Sequence, residues 1–311
     1  MNVGYAAGLS TSVLWTVTSL FFTAASRRVG VTVVNAARIG MAVGLHALTH
    51  RVLTGRWIPE ARGGQIGCLA MSGILGLAIG DQALLLAFLR IGPRLSLLTM
   101  TSAPLLATML GWMFLGESLE AWGWAGMGLS ISGMAWVIAE RRGEGQGPAP
   151  GHRVSGFILA FIGAACQAGG LLLSKQGMGH GWLPVDQHLS PQSATLVRMT
   201  FAALGMIPIL AVHAARRRRR TATDDGAPRK EDRVAGFFLA FCGSVTGPYL
   251  GVWCSLIASN LISLGLAQTL CSFSPLFILP FAATIHRERI TLRAVLGACL
   301  AVAGLAVLFS G

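Results

Sequence analysis

Residues 73–137, GILGLAIGDQALLLAFLRIGPRLSLLTMTSAPLLATMLGWMFLGESLEAWGWAGMGLSISGMAWV, and residues 244–308, SVTGPYLGVWCSLIASNLISLGLAQTLCSFSPLFILPFAATIHRERITLRAVLGACLAVAGLAVL, are two copies of one pattern, in register at a shift of 171 positions without a gap. The shift lays Gly76 on Gly247, Gly80 on Gly251, Ala87 on Ala258 and Ile91 on Ile262, then Pro104 on Pro275, Glu117 on Glu288, Gly126 on Gly297 and Gly133 on Gly304. Apolar composition alone would not align glycine, proline and glutamate over three consecutive runs, so the chain carries an internal duplication. Upstream the shift becomes 160, which places Arg38 of VVNAARIGMA on Arg198 of ATLVRMTFAA; the basic loop around 215–233 absorbs the difference.

The solvent of these copies is lipid. The 311 residues are 53% hydrophobic, have a mean hydropathy of +0.64 and are only 12% charged, whereas a soluble domain is about one quarter charged. Uncharged runs long enough to cross a hydrocarbon core predict spans at 3–24, 31–49, 65–89, 94–115, 119–139, 154–174, 192–213, 234–257, 260–282 and 292–310. The expected fold is therefore an all-α membrane protein of ten transmembrane helices. Residues 1–143 form one five-helix repeat, 144–153 a linker and 154–311 the second repeat. Five is odd, so a continuously threaded second half enters the membrane upside down, which gives an inverted-topology repeat of the kind that supports alternating access. Residues 1–26 lack an early Lys or Arg and run straight into further spans, so they read as a retained helix rather than a cleaved leader.

The net charge of +12 sits mostly between spans, where membrane topology and anionic lipid account for it better than nucleic acid does. All six cysteines fall inside spans, with no CxxC, and read as small packing residues. The absence of GxxxxGK[ST], HExxH and GxSxG argues against ATP hydrolysis and against an intramembrane enzyme, and no cofactor is expected.

The polar residues inside spans carry the chemistry. Asp81 is the one acid well inside a span, where burial of its charge costs about 2.5–3.5 kcal/mol. It could couple transport to protons, meet a substrate cation or complete a structural ion pair. Arg38 and Arg198, matched in the repeat, could hold an anionic group, pair with Asp81 or bond helix-end carbonyls. Trp15, Gln82, Gln167, Tyr249 and Trp253 bring polar handles to apolar surroundings and are candidate cavity walls, as are Thr101 and Ser272. The latter two flank Pro104 and Pro275, each expected to kink its helix and free a carbonyl, which hydroxyls would satisfy or which would line a cavity. Gly76/Gly80 and Gly247/Gly251 are GxxxG pairs for close helix packing. His46 and the tryptophans 57, 122, 124 and 182 lie near span ends and read as interfacial.

The stretch from Gly80 to Val137, with its IGP turn, Pro104, the Gly116–Glu117 pair and a glycine-spaced fifth helix, resembles the EamA family of the drug/metabolite transporter superfamily. The second copy keeps Pro275, Glu288, Gly297 and Gly304 but has Arg287 in place of the glycine. The resemblance implies ten spans, a central cavity and export or exchange of a small metabolite such as an amino acid, nucleoside or sugar, with a proton or another ion as possible partner. It also implies a multi-pass protein of the cytoplasmic (inner) membrane, and the arginine-rich, lysine-poor usage suggests a bacterial source. A non-transporting scaffold or an intramembrane enzyme is the alternative. Loops at 27–28, 90–94, 141–153, 216–233 and 287–293 share one side and carry eighteen Lys and Arg, against four on the other side: Arg51, Arg56, Arg62 and Lys175. The positive-inside rule puts that Arg-rich side in the cytoplasm and both termini outside, whereas the resemblance implies cytoplasmic termini.

Overall fold

The computed structural model describes residues 3–118, 120–139, 150–182, 188–220, 230–274, 276–277 and 292–310. The described residues are helical with short connections. In chain order the helices are α1 (Val3–Val29), α2 (Val31–Thr54), α3 (Gly63–Ser72), α4 (Asp81–Met100), α5 (Ala103–Leu115), α6 (Ala121–Ala139), α7 (Pro150–Gly177), α8 (Pro191–Arg220), α9 (Lys230–Ser244), α10 (Val252–Leu261), α11 (Leu264–Cys271) and α12 (Leu292–Ser310). Two π-helical segments, Gly73–Gly80 and Val245–Gly251, join α3 to α4 and α9 to α10. Among the described residues six stretches are long and apolar enough to span a membrane, namely 3–29, 31–54, 63–87, 154–177, 191–215 and 231–261.

Packing pairs helices of one half with helices of the other. α1 packs on α9, the second π segment and α10, while α7 packs on α3, the first π segment and α4. α2 lies on α8, α5 on α11 and α6 on α12. The π segments explain the close approaches. A Cβ on Gly76 would come within 2.8 Å of the Arg198 guanidinium and 3.6 Å of Gly170 Cα, and one on Gly247 within 2.6 Å of the Thr18 side chain. Gly80 meets Cys166 and Gly251 meets the Trp15 indole, each at 2.7 Å. The GxxxG pairs are thus contact points between halves, set in locally widened helix rather than in regular α-helix.

Two expected boundaries move. The break expected at 90–94 is absent: α4 runs helically through Pro93 to Met100, and the chain turns at Thr101–Ser102. A proline inside a membrane helix is tolerated when the freed carbonyl is satisfied locally, and Pro208 and Pro248 likewise lie inside helices here. Pro104 consequently does not kink a helix at mid-length. It sits in the first turn of α5, after Ser102, where its missing N–H costs no hydrogen bond. Pro275 and the end of the second copy's loop lie outside the described residues, as does most of the linker 144–153.

Candidate functional site

Inside the bundle, α2 and the start of α4 build a polar chain. Arg38 Nε donates to Asn35 Oδ1 at 2.8 Å, and its Nη2 ion-pairs with Asp81. The guanidinium also lies 5.1 Å from the Phe22 ring centroid on α1, a distance at which a cation is attracted by the ring face. Asn35 Nδ2 donates to Gln82 Oε1 at 3.2 Å, and Gln82 Nε2 donates to Thr32 Oγ1 at 3.1 Å. Helical spacing accounts for the polar groups on α2, since positions 32, 35 and 38 fall on one face. Arg38 and Asn35 are buried, while the Asp81 side chain keeps 22% of its surface exposed. The pair is thus reachable from its acidic side.

Arg198 is buried on α8 at 2% exposure, and its Nε has no hydrogen-bond partner among the described residues. Its guanidinium fills the space left by Gly76 and Gly170. The repeat counterpart of Asp81 is Val252, so the second arginine has no acid where the first has one.

A second polar cluster joins α2 to the other half. His46 is fully buried, its Nε2 lies 3.3 Å from the Pro248 carbonyl, and its ring sits 4.8 Å from Tyr249 and 6.2 Å from Trp253. Tyr249 shares a hydrogen bond with Thr49 at 2.7 Å. Gln192 Nε2 donates to the His46 carbonyl at 3.0 Å, and its Oε1 lies 2.9 Å from His50 Nδ1. The structure therefore brings Arg38, Asp81 and Gln82 together, and Tyr249 with Trp253, while Trp15 packs on Gly251. Gln167 is half-buried on α7 and joins neither cluster. Thr101 lies in the turn before α5. Ser272 Oγ donates to the Gln268 carbonyl at 2.8 Å, so its hydroxyl satisfies the end of α11.

His46 is not the interfacial residue its position suggested, and Asn35, Thr32, Thr49, His50 and Gln192 complete both clusters. Amide and imidazole groups inside apolar runs were the available signal, since in lipid each needs a partner. Trp57, Trp122, Trp124 and Trp182 are exposed, the first and last in connections and the other two near the start of α6.

Residues 2–139 and 154–310 each match the EamA-like transporter family. The chain therefore belongs to that family of the drug/metabolite transporter superfamily, and it is a multi-pass α-helical membrane protein. No curated protein matches it. A solved structure titled "Crystal structure of protein" aligns with 98% of this chain and 95% of its own, with a TM-score of 0.74 at 17% identity. At that identity the likeness is one of fold.

Proposed function

We propose that the protein is a secondary transporter that moves a small metabolite across the cytoplasmic membrane by alternating access between two inverted five-helix halves. The observation that carries this is the polar chain Thr32–Gln82–Asn35–Arg38–Asp81 between helices of a transporter family, buried along α2 and partly exposed at Asp81 and Gln82. Polar groups at such depth are expensive in lipid and mark substrate or ion pathways. The reciprocal packing of α1 with α9–α10 and of α7 with α3–α4 supports the inverted arrangement, because exchanging the halves maps one contact set onto the other. In this reading Arg38, Asp81 and Gln82 bind from one half, and Tyr249 and Trp253 supply an aromatic wall from the other.

The test is reconstitution. Amino acids, nucleosides, sugars and organic anions and cations are screened for thermal stabilisation, and the hits for saturable uptake into proteoliposomes with and without a pH gradient. Uptake of one class is the expected outcome; folded protein that neither binds nor moves any class fits a scaffold instead. The Arg38 ion pair favours a structural or substrate-binding role for Asp81. If Asp81→Asn transports at an unchanged rate with unchanged pH dependence, proton coupling through this residue is ruled out.

A further inference from the structure

Glu117 follows α5 at a turn made by Gly116, whose backbone is left-handed at φ 65°, a conformation glycine adopts without steric cost. The Glu117 N–H bonds to the Gly111 carbonyl at 3.2 Å, and the carboxylate folds back so closely that a Cβ on Gly111 would lie 2.6 Å from Oε2. From there Oε1 accepts from Lys175 Nζ at 2.5 Å, near the end of α7, and Oε2 accepts the Leu264 N–H at 2.6 Å, the first amide of α11. Lys175 also donates to the Ile262 carbonyl at 2.7 Å, in the extended break between α10 and α11. One buried ion pair thus ties the α5–α6 connection to both α7 and the α10–α11 break. Lys175 is 7% exposed, so it is no free loop charge.

The packing beneath it is continuous. Ala107, Leu171, Leu172, Leu256 and Leu264, drawn from both halves, share one buried core, and Thr108 lies directly against Gly265 across the α5–α11 seam. Toward the Arg-rich end the described cores are separate: Phe22, Ala25, Val34 and Ala240 form one, and Ala87, Ile91 and Ala160 another. Each of these smaller cores also joins the two halves, so the one extensive inter-half core lies under the ion pair and only small, separate ones lie toward the other end.

We propose that Glu117 and Lys175 form the latch that holds the Arg-poor end of the pathway shut. This deepens the alternating-access reading and rests on it. An ion pair suits a gate because closure dehydrates both charges, which the pairing and two backbone bonds offset, while opening returns them to water. The two states therefore stay close in free energy, as a switch requires. A purely apolar seam would instead resist hydration throughout.

The test is the rate at which a membrane-impermeant maleimide labels Thr108→Cys in nanodiscs, read against the parent chain with its six native cysteines. Removing one partner strands a buried charge and endangers folding, so the latch is removed as Glu117→Gln/Lys175→Gln, which takes away both charges together and leaves polar side chains at both positions. The expected result is a protected Thr108→Cys with the latch intact and labelling about tenfold faster without it, reflecting a shift toward the open state. A double variant that elutes and melts as folded protein yet leaves Thr108→Cys protected overturns the proposal. Labelling needs no transported solute. Faster labelling with no flux in the metabolite screen supports the opening and sinks the carrier reading; flux with unchanged labelling does the reverse.

Discussion

Arg38 and Arg198 hold the same position in the two repeats, but among the described residues only Arg38 has an acid in contact. Arg38 is paired with Asp81, bonded to Asn35 and laid over Phe22. Arg198 faces glycine backbone on α7 and the first π segment, with its Nε unpartnered. The backbone is alike in both halves through the π segments at matching register, and differs beyond them, where α4 is continuous and the second copy breaks at Ile262. The duplication therefore preserved how helices meet, and divergence at single positions, Asp81 against Val252 and Gln82 against Trp253, supplied the chemical asymmetry. A carrier with two similar halves needs such asymmetry if one site is to recognise one solute.

The largest effect that tests this comparison is loss of the ion pair. Arg38→Gln leaves Asp81 unpaired and is expected to cost about 3 kcal/mol, at the low end for a broken buried pair because the carboxylate keeps some solvent. Arg198→Gln removes a buried charge with no contacting acid and is expected to cost less than about 1 kcal/mol, since it also removes a desolvation penalty. Thermal unfolding of the two purified variants against the parent decides the matter. Equal losses would mean that both arginines serve the fold alike and that Asp81 adds nothing to the first.

The glycines give a smaller contrast. Alanine at Gly247 meets the branched side chain of Thr18, which also shares a hydrogen bond with Thr246 at 2.8 Å and cannot easily turn away. Alanine at Gly76 meets the far end of the long Arg198 side chain. Gly247→Ala is expected to destabilise by about 2 kcal/mol and Gly76→Ala by less than about 1 kcal/mol. The same melting measurement would show a reversed order if Arg198 were the more rigid neighbour.

The long apolar helices and the two-fold repeat were legible because hydropathy and the 171-position shift act over long stretches, whereas which helices pack together was not. Arg38, Asp81 and Gln82 stood out as polar groups in apolar runs, but the sequence left three partners open for Asp81. Contact between α2 and α4 is needed to choose among them. Lys175 was hidden by its place near a span end, where a lysine reads as a surface charge. Glu117 stood out only as a repeat marker, because the partners of its carboxylate, Lys175 and the Leu264 amide, come from the other half. The length of α4 was misjudged for a related reason: IGP signals a turn in water, and the bundle lets the helix continue through it.

The smallest effect sharpens the comparison at the aromatic wall. Tyr249 lies where the first repeat has Ala78, and its hydroxyl bonds to Thr49 on α2. Tyr249→Phe keeps the ring against His46 and removes one hydrogen bond, so a loss of about 1 kcal/mol is expected, with Thr49 still able to donate to the Leu45 carbonyl. If Tyr249 serves only to join α2 to the second π segment, binding of whichever metabolite stabilises the parent should be unaffected once stability is corrected for. If its hydroxyl also faces the solute, the variant should lose affinity for that metabolite by more than its melting temperature explains. Thr49→Val separates the two cases, because it breaks the same hydrogen bond from the α2 side and leaves the tyrosine hydroxyl in place.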